Sequence, residues 1–157
     1  MRILILVSGD LWAGAEAVVF HLSKGLKEQG EVEIMVACLN HGRLSSLLID
    51  SGVQTDVIDE RIHSFIKIIS ILSKTARKFK PDIIHAHRFK ENILAALISP
   101  FCGFPHLIST IHGKTEVNKN MWRRLIHRVD KFLLKHIYSK IVAVSREMKH
   151  FLVTHIS

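Results

Sequence analysis

Residues 1–17 read MRILILVSGDLWAGAEA, and this stretch decides the fold of the chain. Its apolar run from Arg2 to Val7 is typical of a strand covered on both faces in a parallel sheet. Ser8 and Gly9 end the run, and a helical pattern opens within Trp12–Glu16. Ligands bind at the carboxyl ends of strands in such sheets, and the free amides of a helix start attract anions. We therefore expect any site to include this turn.

The rest of the chain repeats the alternation of strand and helix. Further strands are predicted at residues 32–39, 53–58, 82–87, 106–111 and 141–144. Predicted helices fall between them, at 15–29, around 44–48, and at 61–80, 91–101 and 121–137, with a last helix after Ser145. This order predicts one α/β domain over residues 1–157, a Rossmann-like, doubly wound parallel sheet of about six strands with helices on both faces.

Two of the predicted helices carry long apolar stripes that we expect to face the core. In residues 61–80 the stripe consists of Ile62, Phe65, Ile66, Ile69, Leu72, Ala76 and Phe79. In residues 121–140 it consists of Met121, Trp122, Leu125, Ile126, Val129, Phe132, Leu133 and Ile137. The 3.6-residue period of both stripes is that of an amphipathic helix packed on a sheet.

The net charge of +8 is concentrated in one segment. Residues 1–113 carry twelve Lys and Arg against eleven Asp and Glu, whereas residues 114–149 carry ten against three. A solvated basic helix face accounts for this excess, and so does docking on anionic lipid through Trp122, Arg123, Arg124 and Arg128. Each basic residue near such a surface contributes about 1 kcal/mol.

Composition excludes several classes of protein. No apolar run is long enough to span a bilayer, and the first apolar run ends too early for a signal peptide. Cys38 and Cys102 are too few for a disulfide framework and are expected to be reduced thiols of a cytosolic protein.

Two sequence fingerprints of nucleotide-binding proteins do not match this chain. Gly9 and Gly14 have the spacing of a phosphate-binding P-loop, but Ala15-Glu16 stands where that loop requires Lys followed by Ser or Thr. The GxGxxG pattern of dinucleotide-binding proteins is absent, and the second strand ends at Asn40 without an acidic residue.

Four other patterns, in this order, resemble one known family. The first turn holds Ala13-Gly14-Ala15-Glu16, where the family has Gly-Gly-Ala-Glu. Residues 80–87 read Lys-Pro-Asp-Ile-Ile-His-Ala-His, residues 110–113 read Thr-Ile-His-Gly, and residues 141–145 read Ile-Val-Ala-Val-Ser. Together they resemble the amino-terminal domain of the GT-B glycosyltransferases of family 4, along the whole chain. Ala13 departs from the family glycine, and its methyl group narrows the approach of a substrate to the backbone.

The resemblance implies the acceptor-binding half of a GT-B transferase. Such an enzyme moves a sugar from a nucleotide-sugar donor to a saccharide or a lipid-linked envelope acceptor. Most donor contacts, and a Glu-x7-Glu motif, belong to a carboxyl-terminal domain that has no counterpart in residues 1–157. We therefore expect this half alone to be inactive. The resemblance also implies retaining transfer without a cofactor or metal, in the cytoplasm or peripherally on the inner membrane face.

The same resemblance assigns the candidate site residues. His112 is the candidate catalytic residue, because it ends a central strand where it could reach the transferred sugar. The candidate substrate-binding residues are Ala13, Gly14, Glu16, His87 and Gly113. We do not assign His112 as a base, because in such enzymes the leaving phosphate is thought to assist the acceptor while the protein positions and polarises. Gly14 also eases a tight turn, and Glu16 also complements the helix dipole.

His85 and His87 share one face of a strand, so a metal-binding pair is one interpretation. No third ligand is evident in the sequence. A structural pair, with His87 lining the cleft, is the favoured hypothesis.

Two rival functions come from other classes. One is a stand-alone basic α/β module that binds nucleic acid or an anionic membrane surface. Against nucleic acid, the basic segment has no aromatic platform for single strands and no recognition-helix motif, so we expect no nucleic-acid partner. The other is a dinucleotide-dependent enzyme, which the missing fingerprint disfavours.

Overall fold

The computed structural model describes residues 1–113 and 121–156, with the side chains of 122, 123, 155 and 156 left out. Its strands are β1 (Arg2–Val7), β2 (Glu33–Cys38), β3 (Gln54–Val57), β4 (Ile83–Ala86), β5 (His106–Ile111) and β6 (Lys140–Ala143). They form one sheet in the order β3-β2-β1-β4-β5-β6, and every neighbouring pair is parallel. The predicted doubly wound parallel sheet is confirmed.

The helices are α1 (Gly14–Gln29), α2 (Arg43–Asp50), α3 (Phe65–Phe79), α4 (Phe89–Ile98), α5 (Met121–His136) and α6 (Arg146–Ile156). A short 3₁₀ turn, Ser99–Cys102, follows α4. Because all strands run the same way, the loops after β1, β4 and β5 meet at one edge of the sheet. We call it the carboxyl edge.

Two apolar layers cover the sheet. On one face, α1 and α2 pack on β1 and β2 through residues such as Val19, Leu44 and Leu48. On the other face, α3, α4 and α5 cover the strands through residues such as Leu72, Leu94 and Leu134. The central strand β1 is buried on both faces from Leu4 to Val7, as its continuous apolar run predicts.

A close backbone approach holds the first two loops of the carboxyl edge together. Gly9 has φ +78°, in the left-handed region that favours glycine. Gly42 packs so closely on this turn that a Cβ on it would collide with the carbonyl oxygen of Gly9. Both positions therefore require glycine, one for its conformation and the other for space.

The apolar stripe predicted for residues 61–80 is wrong at its beginning. Helix α3 begins only at Phe65, because Ser64 caps it by accepting a hydrogen bond from the amide of Lys67 at 3.4 Å. Before that, Ile62 lies in a turn. The side chains of Ile62, Phe65 and Ile66 are exposed, and the core is reached through Ile68, Leu72, Ala76 and Phe79.

The stripe predicted for α5 is wrong over most of its length. The helix packs on α4 through Asp130 and Leu134, and the carboxylate of Asp130 accepts a hydrogen bond from Asn92 at 2.8 Å. Leu133 also packs against the core. The remaining described members of the stripe are exposed, at Met121 (77%), Leu125 (50%), Ile126 (36%), Val129 (40%), Phe132 (59%) and Ile137 (48%).

Strand β6 is the edge of the sheet next to α6. Val142 on this strand and Val144 just after it are exposed, at 44% and 47%. Within the described part of the chain, no helix combines the length and apolar character needed to cross a membrane.

Candidate functional site

Three histidines stand side by side at the carboxyl edge, on the neighbouring strands β4 and β5. His85 Nε2 lies 2.8 Å from Thr110 Oγ1, and the His85 and His87 ring centroids are 4.3 Å apart. His87 Nδ1 lies 2.9 Å from His112 Nε2, with the two rings stacked. The predicted shared face of His85 and His87 is confirmed, and it continues to His112.

Burial keeps these rings neutral. It lowers the pKa of His85 to about 4 and that of His87 to about 2, helped by the neighbouring rings. Burial, and then the positive charge of Arg88, also lower the pKa of His112. At neutral pH each ring therefore carries a single proton, on one of its two nitrogens.

An ion pair joins the turn after β1 to the turn after β4. Arg88 Nη2 donates to Glu16 Oε1 at 2.8 Å, and Arg88 Nη1 lies 3.8 Å from Asp10. Glu16 is completely buried, and its other oxygen accepts the amide hydrogen of Ala13 at 3.2 Å. Arg88 has φ +122°, a conformation that residues other than glycine rarely adopt, so its backbone is strained.

A second polar cluster lies where β1, β2 and β3 end. Lys90 Nζ donates to Glu60 Oε2 at 2.6 Å and to Ser8 Oγ at 3.2 Å. Asn40 Nδ2 donates to Glu60 Oε1 at 2.8 Å. The cluster presents hydroxyl, amide and charged groups beside the first turn, which are the groups that hydrogen-bond sugar hydroxyls.

The structure separates the predicted substrate-binding residues into two groups. Ala13, Gly14 and Gly113 are exposed, and a Cβ added to Gly14 would meet no atom within 4 Å. His112 is partly exposed. In contrast, the side chains of Glu16 and His87 are completely buried, so neither presents an atom to solvent. A sugar hydroxyl could reach Glu16 only if Glu16 left its present partners.

The first turn after β1 and His112 after β5 lie at the same edge of the sheet, because both strands run parallel on either side of β4. Glu16 and Arg88 both act on the His112 imidazole, Arg88 lowering its pKa and Glu16 raising it.

Of the predicted membrane-surface residues, Arg124 and Arg128 are exposed on α5. The side chains of Trp122 and Arg123 lie outside the described residues, as does the segment 114–120.

Sequence reasoning missed Arg88, Lys90, Asn40 and Glu60. A usable signal was present, because each of them follows a buried strand or lies in the first turn of the next helix. The rule that placed His112 at the carboxyl edge places these residues there as well.

Among the side chains that the structure describes, no three histidine, cysteine, aspartate or glutamate residues are grouped so as to hold a metal ion. His85 and His87 contact Thr110 and His112 instead.

Comparison with known proteins gives a consistent picture. The model of Glycosyltransferase Family 4 matches residues 12–157. The chain is 24% identical over 119 residues to the Escherichia coli protein named UDP-Gal:alpha-D-GlcNAc-diphosphoundecaprenol alpha-1,3-galactosyltransferase. That alignment covers 66% of this chain and 31% of the relative.

Solved structures share the fold. Anabaena HepE in complex with UDP and glucose superimposes with a TM-score of 0.79 at 19% identity, over 99% of this chain and 41% of HepE. The lipopolysaccharide outer core galactosyltransferase WaaB, in its apo form, gives 0.67 at 16% identity, over 99% of this chain and 42% of WaaB. The chain thus spans about two fifths of the length of these structures and a third of the curated relative.

Proposed function

The chain belongs to glycosyltransferase family 4, and from that premise we propose that it is the acceptor-binding half of a GT-B enzyme. The enzyme transfers a sugar from a nucleotide-sugar donor to a saccharide or lipid-linked envelope acceptor. The observation that carries this proposal is the carboxyl edge itself. There the exposed Gly14 at the start of α1, the Arg88–Glu16 pair and the His112 ring lie at the same edge of the sheet, and we propose that they form one wall of a cleft.

The second wall of the cleft is a carboxyl-terminal domain that holds most of the donor. The relatives support the substrate classes, since HepE was solved with UDP and with UDP-glucose, and the E. coli relative is named for a UDP-Gal donor and a diphosphoundecaprenol acceptor. Residues 1–157 alone bind substrate without turnover. The transfer is retaining and requires no metal or cofactor.

The residues of this cleft wall supply hydrogen bonds and charge to the substrate at fixed positions. The amides at the start of a helix such as α1 favour a phosphate or another anion, and Gly14 leaves room for it to approach the backbone. The Arg88 guanidinium, held by Glu16, adds a positive charge that needs no rearrangement during the reaction. His112 hydrogen-bonds the transferred sugar.

The test uses an enzyme that contains both halves, assayed for sugar transfer to a lipid-linked acceptor. We expect His112→Ala to lower turnover by roughly 100-fold, as the loss of a positioned group does. His150→Ala, which removes an exposed histidine of α6, is the matched control. Wild-type turnover in His112→Ala would remove His112 from the site, and no transfer from any nucleotide sugar by the unmodified enzyme would refute the function.

We further propose that the protein works in the cytoplasm, peripherally on the inner membrane face, with α5 against anionic lipid. On the outward side of α5 an apolar stripe of Met121, Leu125, Val129 and Phe132 runs beside exposed basic residues. These basic residues are Arg124, Arg128, Lys131 and Lys135. Apolar and basic rows side by side suit the boundary between acyl chains and headgroups. Nucleic acid is not a partner.

A further inference from the structure

The contact between His87 and His112 holds one hydrogen atom between two nitrogens. His87 Nδ1 and His112 Nε2 are 2.9 Å apart, and both rings are neutral at neutral pH. Since neutral imidazole carries one N–H, there are two arrangements. Either His87 donates from Nδ1 to His112 Nε2, or His112 donates from Nε2 to His87 Nδ1.

The other nitrogen of His87 distinguishes the two arrangements. His87 is completely buried, and its Nε2 has no hydrogen-bond partner among the described residues. If His112 donates, the His87 proton sits on this buried Nε2 as an unpaired N–H. If His87 donates, Nε2 is only an unpaired acceptor. Orphaned buried donors are rarer in proteins than acceptors with an unused lone pair, so the arrangement in which His87 donates is the favoured one.

We infer that His87 donates its Nδ1 hydrogen to His112 and thereby fixes His112 as a hydrogen-bond donor through its own Nδ1–H. This inference rests on the proposed function, because it states what His112 does to the sugar. With Nε2 occupied and Nδ1 protonated, neutral His112 has no free lone pair for the proton of an acceptor hydroxyl. It donates to an oxygen of the substrate, and the general-base role is closed to it. His87 is a positioning residue that never touches the substrate.

The neighbouring groups support this state. His85 packs against the His87 ring and is itself tied to Thr110, and His112 contacts His87 as well, so two neighbouring rings restrict His87. The charged groups that act on His112 are Arg88 and Glu16, whereas the one that acts on His87 is Arg88, beside the neutral rings of His85 and His112. Together with burial, Arg88 disfavours a second proton on either ring.

The first experiment reads the tautomer directly in the unmodified chain. Nitrogen-15 NMR of histidine-labelled protein at pH 7.5 distinguishes protonated from bare ring nitrogens, and His112→Gln identifies the His112 signals. We expect His112 to be protonated at Nδ1 and bare at Nε2. Protonation at Nε2, or a mixture of the two forms, overturns the inference while leaving the proposed function intact.

The second experiment tests positioning with two substitutions at one site. His87→Asn places an amide N–H close to where Nδ1 was, whereas His87→Leu supplies no donor. We expect His112 to keep its Nδ1–H form in His87→Asn and to show both forms in His87→Leu. In an enzyme with both halves, His87→Leu should lower kcat roughly tenfold with a smaller change in KM, and His87→Asn should recover most of the loss. Equal kcat for the two variants overturns the inference. If His87→Leu does not fold, the tautomer of the unmodified chain decides.

Discussion

Arg88 donates a 2.8 Å hydrogen bond to Glu16, a residue 72 positions earlier in the chain. The bond crosses from the turn that follows β4 to the helix that follows β1. Glu16 is completely buried, whereas about a third of the Arg88 side chain reaches solvent. The pair therefore joins two turns of the site by one charged contact, and the exposed side of the guanidinium faces outward.

Replacing Arg88 tests both the ion pair and the backbone strain. We expect Arg88→Ala to lower the unfolding free energy by about 3 kcal/mol, because it leaves the Glu16 carboxylate buried without its partner. Arg88→Gly loses the same guanidinium but adopts φ +122° without strain, so it should be roughly 1–2 kcal/mol less destabilising. Urea denaturation of both variants measures the difference. Equal stabilities would show that the backbone at residue 88 is not strained.

Gly14→Ala should separate function from folding. The added Cβ meets no atom of the chain within 4 Å, so we expect the unfolding free energy to stay the same or to rise by up to about 1 kcal/mol. In an enzyme with both halves, the same methyl group blocks the open helix start, and KM for the donor or acceptor should rise roughly tenfold. Gly25→Ala, also in α1 with no atom within 4 Å, is the control. Unchanged KM in Gly14→Ala would remove Gly14 from the site.

The Asp130 carboxyl should make stability depend on pH between about 4 and 6. Burial raises its pKa from 3.8 to about 6, although the hydrogen bond from Asn92 works against this. A raised pKa in the folded state means that its contribution is fully present below the unfolded value and is lost as the pH rises through the folded one. The contribution that is lost amounts to at most about 3 kcal/mol.

Asp130→Asn removes this titration. Denaturation at pH 4 and at pH 6 should therefore show the stability of Asp130→Asn rising relative to the unmodified chain as the pH increases. Asp59→Asn is a control that should stay nearly constant over this range, because hydrogen bonds from Arg61 hold the pKa of Asp59 at about 2 and its contribution is lost only below about pH 4. A constant difference between Asp130→Asn and the unmodified chain from pH 4 to pH 6 would contradict the prediction.

Substitutions on α5 test the proposed lipid surface. Leu125→Glu and Phe132→Glu should each weaken binding to vesicles that contain anionic phospholipid by roughly tenfold or more, since each removes an apolar side chain and adds like charge. Ile62→Glu makes the same change at an exposed position outside α5 and should have little effect. Cosedimentation at low and high salt measures binding, which salt should weaken. Unchanged binding in Phe132→Glu, or tighter binding to oligonucleotides than to vesicles, would refute the lipid surface.

The fold could be predicted because the central strands β1 and β2 contain short apolar runs that are buried on both faces, a pattern that depends on local sequence alone. The inward side of α5 could not be predicted in this way. Asp130 faces the core, where Asn92 of another helix satisfies it, while apolar residues such as Phe132 face outward. A rule based on the sequence pattern assigns the apolar side of a helix to the core. In α5 the opposite side faces the core, because Asn92, which is distant in the sequence, donates a hydrogen bond to Asp130.

The candidate site, like the fold, could be predicted only where its residues follow from local sequence patterns. His112 follows β5 directly and Gly14 begins the helix after β1, so the rule that ligands bind at the carboxyl ends of parallel strands placed both at this edge. The strained Arg88 and the close packing of Gly42 on Gly9 depend on contacts between distant loops, which no local pattern contains.

The position of β6 as an edge strand affects how this chain behaves at high concentration. The strand at the edge of a parallel sheet can pair with an extended peptide through its backbone amides and carbonyls, and the exposed Val142 and Val144 add apolar surface there. Lys140 at the start of the strand supplies the one charge within β6 that opposes such pairing. Replacing Val142 with a second lysine should keep samples monomeric for the spectroscopy described above, without touching the sugar-handling side of the molecule.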